Sequence, residues 1–344
     1  MIPKKELCAL TVNLIFVKVI LGFPRTVVEN SGSAAWIQVI YNLAAALLIY
    51  YIIAGISDKR KSIIDILQIR WLRAAVGIIV SALLLVNLLL VVRSFPDEVR
   101  AAMLQEENKG LLMMLLTAAS AAGAFLGIEA IARVSRLFLP VMVAIFIISA
   151  IFLIPKYNTD NLFPIFGLGA DKIFISGTNT LSLFSDIIIL DLLRPYAESF
   201  EDIRRAGRNA IIISGAGAVA VLLIYCLTYS YPISTEFAIP LYNMARLINL
   251  TSFFNRFEAF YEFVWTIIVL IHTSSYLFMT AHCIKTAFYI RNIKPVLVGV
   301  TAVLIAAAMI PGLDNGLRMI WMYSYIGVIG LMLIFGRKRR EGRL

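Results

Sequence analysis

The residues of this chain that could do chemistry are ionisable and hydroxyl side chains set inside long apolar stretches. Lys18 lies deep in the apolar run 7–28, and Asp186 lies in the run 172–193. Charge inside a bilayer is costly, so such residues default to handling ligands, ions or protons. Two readings of Lys18 stay open. It is a fixed cation at a central cavity that neutralises a ligand carboxylate or a neighbouring acid, or it is the structural partner of Glu129 or Asp186 or a lysine reaching a wet vestibule. Asp186 follows Ser176-Gly177-Thr178-Asn179-Thr180, Ser182 and Ser185. It would contact a ligand amine or titrate, or it would cap a half-helix by accepting from free N–H groups. Asp191 reads as a partner of Arg194. His272-Thr273-Ser274-Ser275 offers hydroxyls to a sodium ion, or bonds back to its own helix. The expected ligand-binding set is Lys18, Gly22, Asn87, Ser182, Ser185, Asp186, Thr273 and Ser274.

A second set reads as gating or structural ion pairs. Glu129 and Arg133 are four apart, hence on one helical face. Glu258 and Glu262 are also four apart, beside Arg256. They form either the acidic lip of a vestibule or the acid-rich start of a helix, which the helix dipole favours. Arg25 is close enough to one end of its run to reach the interface. No phosphate-cradling glycine loop, catalytic triad spacing or metal-ligand cluster appears. Cys8, Cys226 and Cys283 fall in apolar stretches and read as reduced packing residues, while His272 and His282 are too scattered for a metal centre. The sequence therefore points away from an enzyme and calls for no cofactor and no metal.

The elements that must position these residues are membrane helices. The chain has 344 residues, 60% hydrophobic and 15% charged, with a mean hydropathy of +0.87. A soluble domain carries about a quarter charged residues, so a soluble enzyme and a nucleic-acid-binding module are both excluded. Ten apolar runs of membrane-spanning length are expected, at 7–28, 34–54, 72–93, 111–131, 137–154, 172–193, 210–231, 257–284, 294–311 and 317–335. Lys4 and Lys5 precede the first run as in a signal peptide. No small-residue cleavage site follows, so the run reads as a retained helix. With the N-terminus inside, 21 basic residues fall in cytoplasmic segments and eight in external ones. That bias is the one expected for an even number of spans with both termini cytoplasmic. It accounts for the net charge of +10 as topology.

The polar link Pro155 to Lys172 divides the runs into five and five. An odd number of spans per half forces the halves into opposite orientations, as in inverted-repeat transporters. The expected units are a first repeat at 7–154, a second at 172–336 and a basic tail at 337–344. Both first helices of these halves carry breakers. Gly22-Phe23-Pro24-Arg25 follows Lys18, and the Ser/Gly/Thr/Asn stretch precedes Asp186. Proline removes a backbone donor, and backbone freed at membrane depth is tolerated where it lines a cavity. The fold class is thus an all-α polytopic membrane protein with ten transmembrane helices, a five-plus-five inverted repeat of the LeuT type, and discontinuous helices one and six.

Three stretches carry a resemblance to a known family: Gly127-Ile128-Glu129-Ala130-Ile131-Ala132-Arg133 with Pro140; Phe184-Ser185-Asp186 through Leu193-Arg194-Pro195; and Pro240 to Ile248, then Phe253 to Glu258, leading to Trp265. Together, in this order and with this layout, the chain resembles the spore germination permeases. These are the B subunits of nutrient germinant receptors, within the amino-acid/polyamine/organocation superfamily. The resemblance implies a small nutrient, typically an amino acid, bound at helices one and six. It also implies A-type and C-type partner subunits and the inner membrane of the spore. Segment 238–251 would be an amphipathic external helix, and Leu241, Ala245 and Ile248 fit its apolar stripe. Val17-Lys18-Val19 stands where transporters of the superfamily usually have glycines. That lysine would meet a carboxylate or replace a coupling cation, and either role disfavours sodium coupling.

The expected function is a membrane-embedded germinant-receptor subunit that binds a nutrient at the midplane, between helices one, three, six and eight. The ligand carboxylate would meet the helix-one break and Lys18, and its amine the helix-six break or Asp186. The alternative is a proton-coupled or ion-independent amino-acid transporter working by alternating access. A third reading is a structural or ion-conducting subunit.

Overall fold

A computed structural model describes residues 1–56, 62–67, 69–104, 106–248 and 257–313, with single glycines at 316, 327 and 330. The helices in chain order are α1 (Lys4–Ile20), α2 (Phe23–Ser31), α3 (Ala35–Ile56), α4 (Ile63–Ile66), α5 (Arg70–Ala102), α6 (Lys109–Leu126) and α7 (Ile128–Phe152). They continue with α8 (Ala170–Phe174), α9 (Ile187–Leu192), α10 (Phe200–Thr228), α11 (Pro240–Arg246), α12 (Phe257–Ala287) and α13 (Ile293–Ala308). Seven stretches are long and apolar enough to cross a membrane: Phe23–Ala54, Arg70–Ala102, Lys109–Leu126, Ile128–Phe152, Ala170–Leu192, Phe200–Thr228 and Phe257–Ala287. α13 (Ile293–Ala308) is a further, shorter apolar helix, and α1 precedes the break that α2 continues. The tenth expected span, at 317–335, and the tail at 337–344 lie outside the described residues.

Both expected breaks are present. Leu21 ends α1, and Gly22 adopts the left-handed conformation with φ +73° before α2 begins with Pro24 in its first turn. Glycine takes that backbone without steric cost, and proline lacks the N–H that a first turn leaves unused. In helix six, α8 and α9 are joined by a nine-residue 3₁₀ segment, Ser176–Phe184. Runs of 3₁₀ helix longer than three or four residues are uncommon, because their hydrogen bonds are poorly aligned. This one is held by side chains from α3. Gln38 and Asn42 donate to the Gly177 carbonyl, and both also donate to the Thr180 hydroxyl.

One boundary differs from expectation. Helices four and five meet at Gly127, φ +88°, rather than between 131 and 137. Glu129 and Arg133 therefore open α7 instead of closing the span before it. α12 lies at the centre, packed on α1, α5, α6, α7, α9 and α13. Small residues allow the close approach expected between membrane helices. A Cβ on Gly123 would stand 2.5 Å from the Ser274 hydroxyl, and one on Gly77 would collide with Ala287.

Candidate functional site

A cavity of about 400 Å³ lies where the two helix breaks face each other. The helix-one break supplies Lys18, Leu21, Gly22, Phe23, Arg25, Thr26 and Glu29. Asn87, Leu90, Val91, Ser94 and Glu98 come from α5, Asn179, Thr180 and Ser182 from the 3₁₀ segment, and Ala238 from the segment before α11. At one end Arg25 and Glu29, paired at 2.7 Å, are each nearly half exposed, so this end is the mouth. The other end closes on buried Lys18.

The Lys18 ammonium is held entirely by oxygens of helix six. It lies 2.8 Å from Asp186 Oδ2. It donates to Ser185 Oγ at 2.8 Å and reaches the Ser182 and Leu183 carbonyls at 3.4 Å each. These carbonyls belong to the 3₁₀ break and its end, where α-helical bonding is interrupted. Lys18 is 6% exposed and Asp186 fully buried, so the pair excludes solvent and its two charges cancel. Asp186 Oδ1 accepts a short hydrogen bond from the Tyr276 hydroxyl of α12. His272 stacks on Tyr276 with ring centroids 4.3 Å apart, and neither of its ring nitrogens has a hydrogen-bond partner among the described residues. Lys18, Asp186, Tyr276 and His272 thus form one chain from the cavity floor into the central helix.

The N-terminus of α2 is the second polar feature. Gly22 provides no side-chain cap, so the first-turn N–H groups of α2 are left for an external acceptor. Such an end favours an anion through its free donors and its dipole. The Arg25 side chain adds a guanidinium at the same end of the cavity.

The bundle end away from the mouth is closed by ties between distant segments. Asp191 pairs with Arg194 at 2.6 Å, as expected, and accepts the Ile63 N–H at 2.7 Å. Glu129 pairs with the Met1 ammonium at 2.7 Å. Arg133, one turn on in α7, acts on Glu129 electrostatically, while the direct ion pair among the described residues is with the Met1 ammonium. Tyr196 bonds His282 Nδ1 through its hydroxyl at 2.9 Å.

Of the expected ligand-binding set, Lys18, Gly22, Asn87 and Ser182 line the cavity. Ser185 and Asp186 lie behind Lys18. Thr273 and Ser274 are turned to α6: Thr273 bonds Ser120 at 2.6 Å, and Ser274 sits against Gly123. Their helix, α12, contributes none of the cavity lining, so the expected four-helix cavity is walled by helices one, three and six with the segment before α11. Glu258 lies in the first turn of α12, whereas Glu262 is buried and its carboxylate has no hydrogen-bond partner among the described residues. Arg256 lies outside the described residues. Of segment 238–251, residues 238–248 contain the helix α11, with Leu241 and Ala245 in it and Ile248 just after it all buried; residues 249–251 lie outside the described residues.

Several residues of this site escaped sequence reasoning. Gln38 and Asn42 carried a signal, two amides four apart in an otherwise apolar span. Tyr276 is one turn beyond His272 on the same face. Glu98 had no distinguishing pattern, whereas Asn179 belonged to the polar stretch already read as the helix-six break.

The family model for "spore germination protein" matches residues 1–317. No curated protein matches the chain. Among solved structures, the chain is similar to a nucleobase-cation-symport-1 family transporter in a closed conformation with bromovinylhydantoin bound. The TM-score is 0.66 at 11% identity, over 96% of this chain and 77% of that one. At that identity the likeness is one of fold, and the fold is the LeuT-type transporter architecture that the paired helix breaks implied. The match over nearly the whole chain, with the broken helices and the cavity between them, makes this protein a member of the spore germination protein family.

Proposed function

We propose that this chain is the nutrient-binding membrane subunit of a spore germinant receptor, and that its ligand is a small amino acid held in the cavity between the two helix breaks. The observation that carries this reading is the cavity itself. Its volume of about 400 Å³ falls within the range of small-molecule sites, and its polar lining comes from the elements whose backbone is interrupted. The ligand carboxylate meets the uncapped N-terminus of α2, beside the Arg25–Glu29 pair at the mouth. This revises the expectation that it meets Lys18, whose charge Asp186 already cancels. The amine lies toward the oxygens of Asn87, Asn179 and Ser182. Binding draws α2 and the 3₁₀ segment together, and partner subunits of A and C type read that change. A ligand acts here only through its different affinity for the two arrangements. The basic-residue bias supports cytoplasmic termini and a mouth facing outward, in the inner membrane of the spore.

The test is a panel of amino acids against the thermal unfolding of the purified full chain, paired with germination of spores carrying the same variants. A saturable rise in midpoint with one or a few amino acids, lost with the germination response in Asn87→Leu, supports the proposal. No shift with any amino acid at saturating concentrations contradicts it. The similarity to a transporter fold favours one competing reading, an amino-acid transporter completing alternating access alone. Robust, saturable uptake by proteoliposomes holding only this chain would establish that reading in place of a receptor.

A further inference from the structure

The Lys18 ammonium sits as a bound monovalent cation would sit. Its neighbours are all oxygens: a carboxylate and a hydroxyl at 2.8 Å and two main-chain carbonyls at 3.4 Å. One donor is anionic and two are backbone groups at an interrupted helix, the kind of donor set that broken membrane helices offer to cations. Nitrogen-to-oxygen separations of 2.8 Å suit an ammonium. The side chain that delivers it also lines the cavity, so removing that side chain would connect these oxygens to the mouth. Asp186 is itself fixed from the far side by Tyr276, and Ser185 follows directly on the 3₁₀ segment. The oxygens are therefore positioned by elements other than the lysine.

The geometry points to a monovalent-cation site of the ammonium class, formed by Asp186, Ser185 and the Ser182 and Leu183 carbonyls, that the protein fills permanently with its own lysine. Stability and ligand binding in the native chain are then independent of free sodium. A chain lacking the Lys18 amine acquires a requirement for a small cation that the native chain never shows. The inference stands whichever nutrient occupies the cavity, because its test uses no nutrient.

The experiment measures thermal unfolding of the purified full chain, native and Lys18→Ala. Sodium, potassium, methylammonium, n-propylammonium or choline chloride is added at equal ionic strength. n-Propylammonium restores the atoms that the substitution removes, while choline is too large and cannot donate a hydrogen bond. The native midpoint is expected to be the same in sodium, n-propylammonium and choline. The Lys18→Ala midpoint is expected to fall by several degrees in choline. It should recover saturably with n-propylammonium, as mass action requires of a ligand of the folded state. The recovery should vanish in Lys18→Ala/Asp186→Asn, where the anion is gone. If Lys18→Ala can be isolated only when n-propylammonium is present throughout, the inference is supported equally. Failure of every small ammonium to restore Lys18→Ala overturns it. So does a saturable sodium stabilisation of the native chain that Asp186→Asn abolishes.

Discussion

Exchange of Lys18 for Met leaves a buried carboxylate facing an apolar side chain. Asp186 keeps the Tyr276 hydroxyl on Oδ1, but Oδ2 loses the ammonium 2.8 Å away. Breaking a buried pair by removing one partner costs about 3–5 kcal/mol, because the remaining charge is left uncompensated. Asp186→Asn should cost less, toward the lower end of about 3–5 kcal/mol. The ammonium then retains the Ser185 hydroxyl and two carbonyls as acceptors. The neutral double variant Lys18→Met/Asp186→Asn buries no net charge and should lie close to the native protein. The expected order of unfolding midpoints is native, double variant, Asp186→Asn, Lys18→Met. At roughly 2 °C per kcal/mol for a chain of this size, Lys18→Met falls by roughly 10 °C. The assay is a double-mutant cycle on midpoints of the purified full chain, and residues in direct contact must be non-additive in it. Additive losses, with the double variant the least stable of the four, would falsify the placement of Lys18 against Asp186.

Other consequences follow from neighbouring features. Gly22 has φ +73° and open space where a Cβ would stand, so a substitution there strains only the backbone. Gly22→Val should cost about 1–2 kcal/mol, and Gly22→Asn distinctly less; equal losses in a thermal ramp contradict this. Gln38→Leu/Asn42→Leu removes the α3 amides that donate to the Gly177 carbonyl and the Thr180 hydroxyl, while Thr180 still donates to Gly177 at 2.7 Å. At about 0.5–1.5 kcal/mol for each residue's lost tie it should cost about 1–3 kcal/mol and speed hydrogen exchange at 176–184, whereas unchanged exchange would remove α3 from support of the break. Burial pushes the Tyr196 phenol up to about 12, from an ordinary value of about 10. The folded state thus favours the neutral phenol, and this stabilisation is whole below pH of about 10 and lost by about 12. A pH series of midpoints should show that alkaline loss reduced in Tyr196→Phe; an identical slope in the variant argues against it.

The parts of the molecule legible in its sequence are those set by local chemistry. Gly22-Phe23-Pro24 marks the break in helix one because one residue needs a left-handed backbone and another lacks a donor. The polar stretch 176–180 marks the break in helix six for a similar reason. Asp191 and Arg194 are three apart and pair as their spacing suggests. The family resemblance was legible as well, and the match over residues 1–317 bears it out. The remainder depends on contacts between distant segments. Lys18 offered Glu129, Asp186 or a ligand as partner, and the choice of Asp186 came from the approach of α1 to the 3₁₀ segment. Gly127 looked like one more small residue in an apolar run, yet its positive φ moves a helix boundary, so that Glu129 opens α7. Thr273 and Ser274 have the chemistry of a ligand site. The close packing of α6 on α12 turns them away from the cavity, and helical periodicity alone does not reveal which face of a central span is empty.

Equilibrium binding of radiolabelled amino acids to the purified full chain, in sodium chloride and in choline chloride, tests directly whether the cavity is a nutrient site. Saturable binding of one or a few small amino acids is expected, with the same affinity in both salts. That binding should be lost in Asn87→Leu without loss of fold. Absence of saturable binding across the amino-acid panel, with the protein folded, would contradict the assignment of the cavity as a nutrient site.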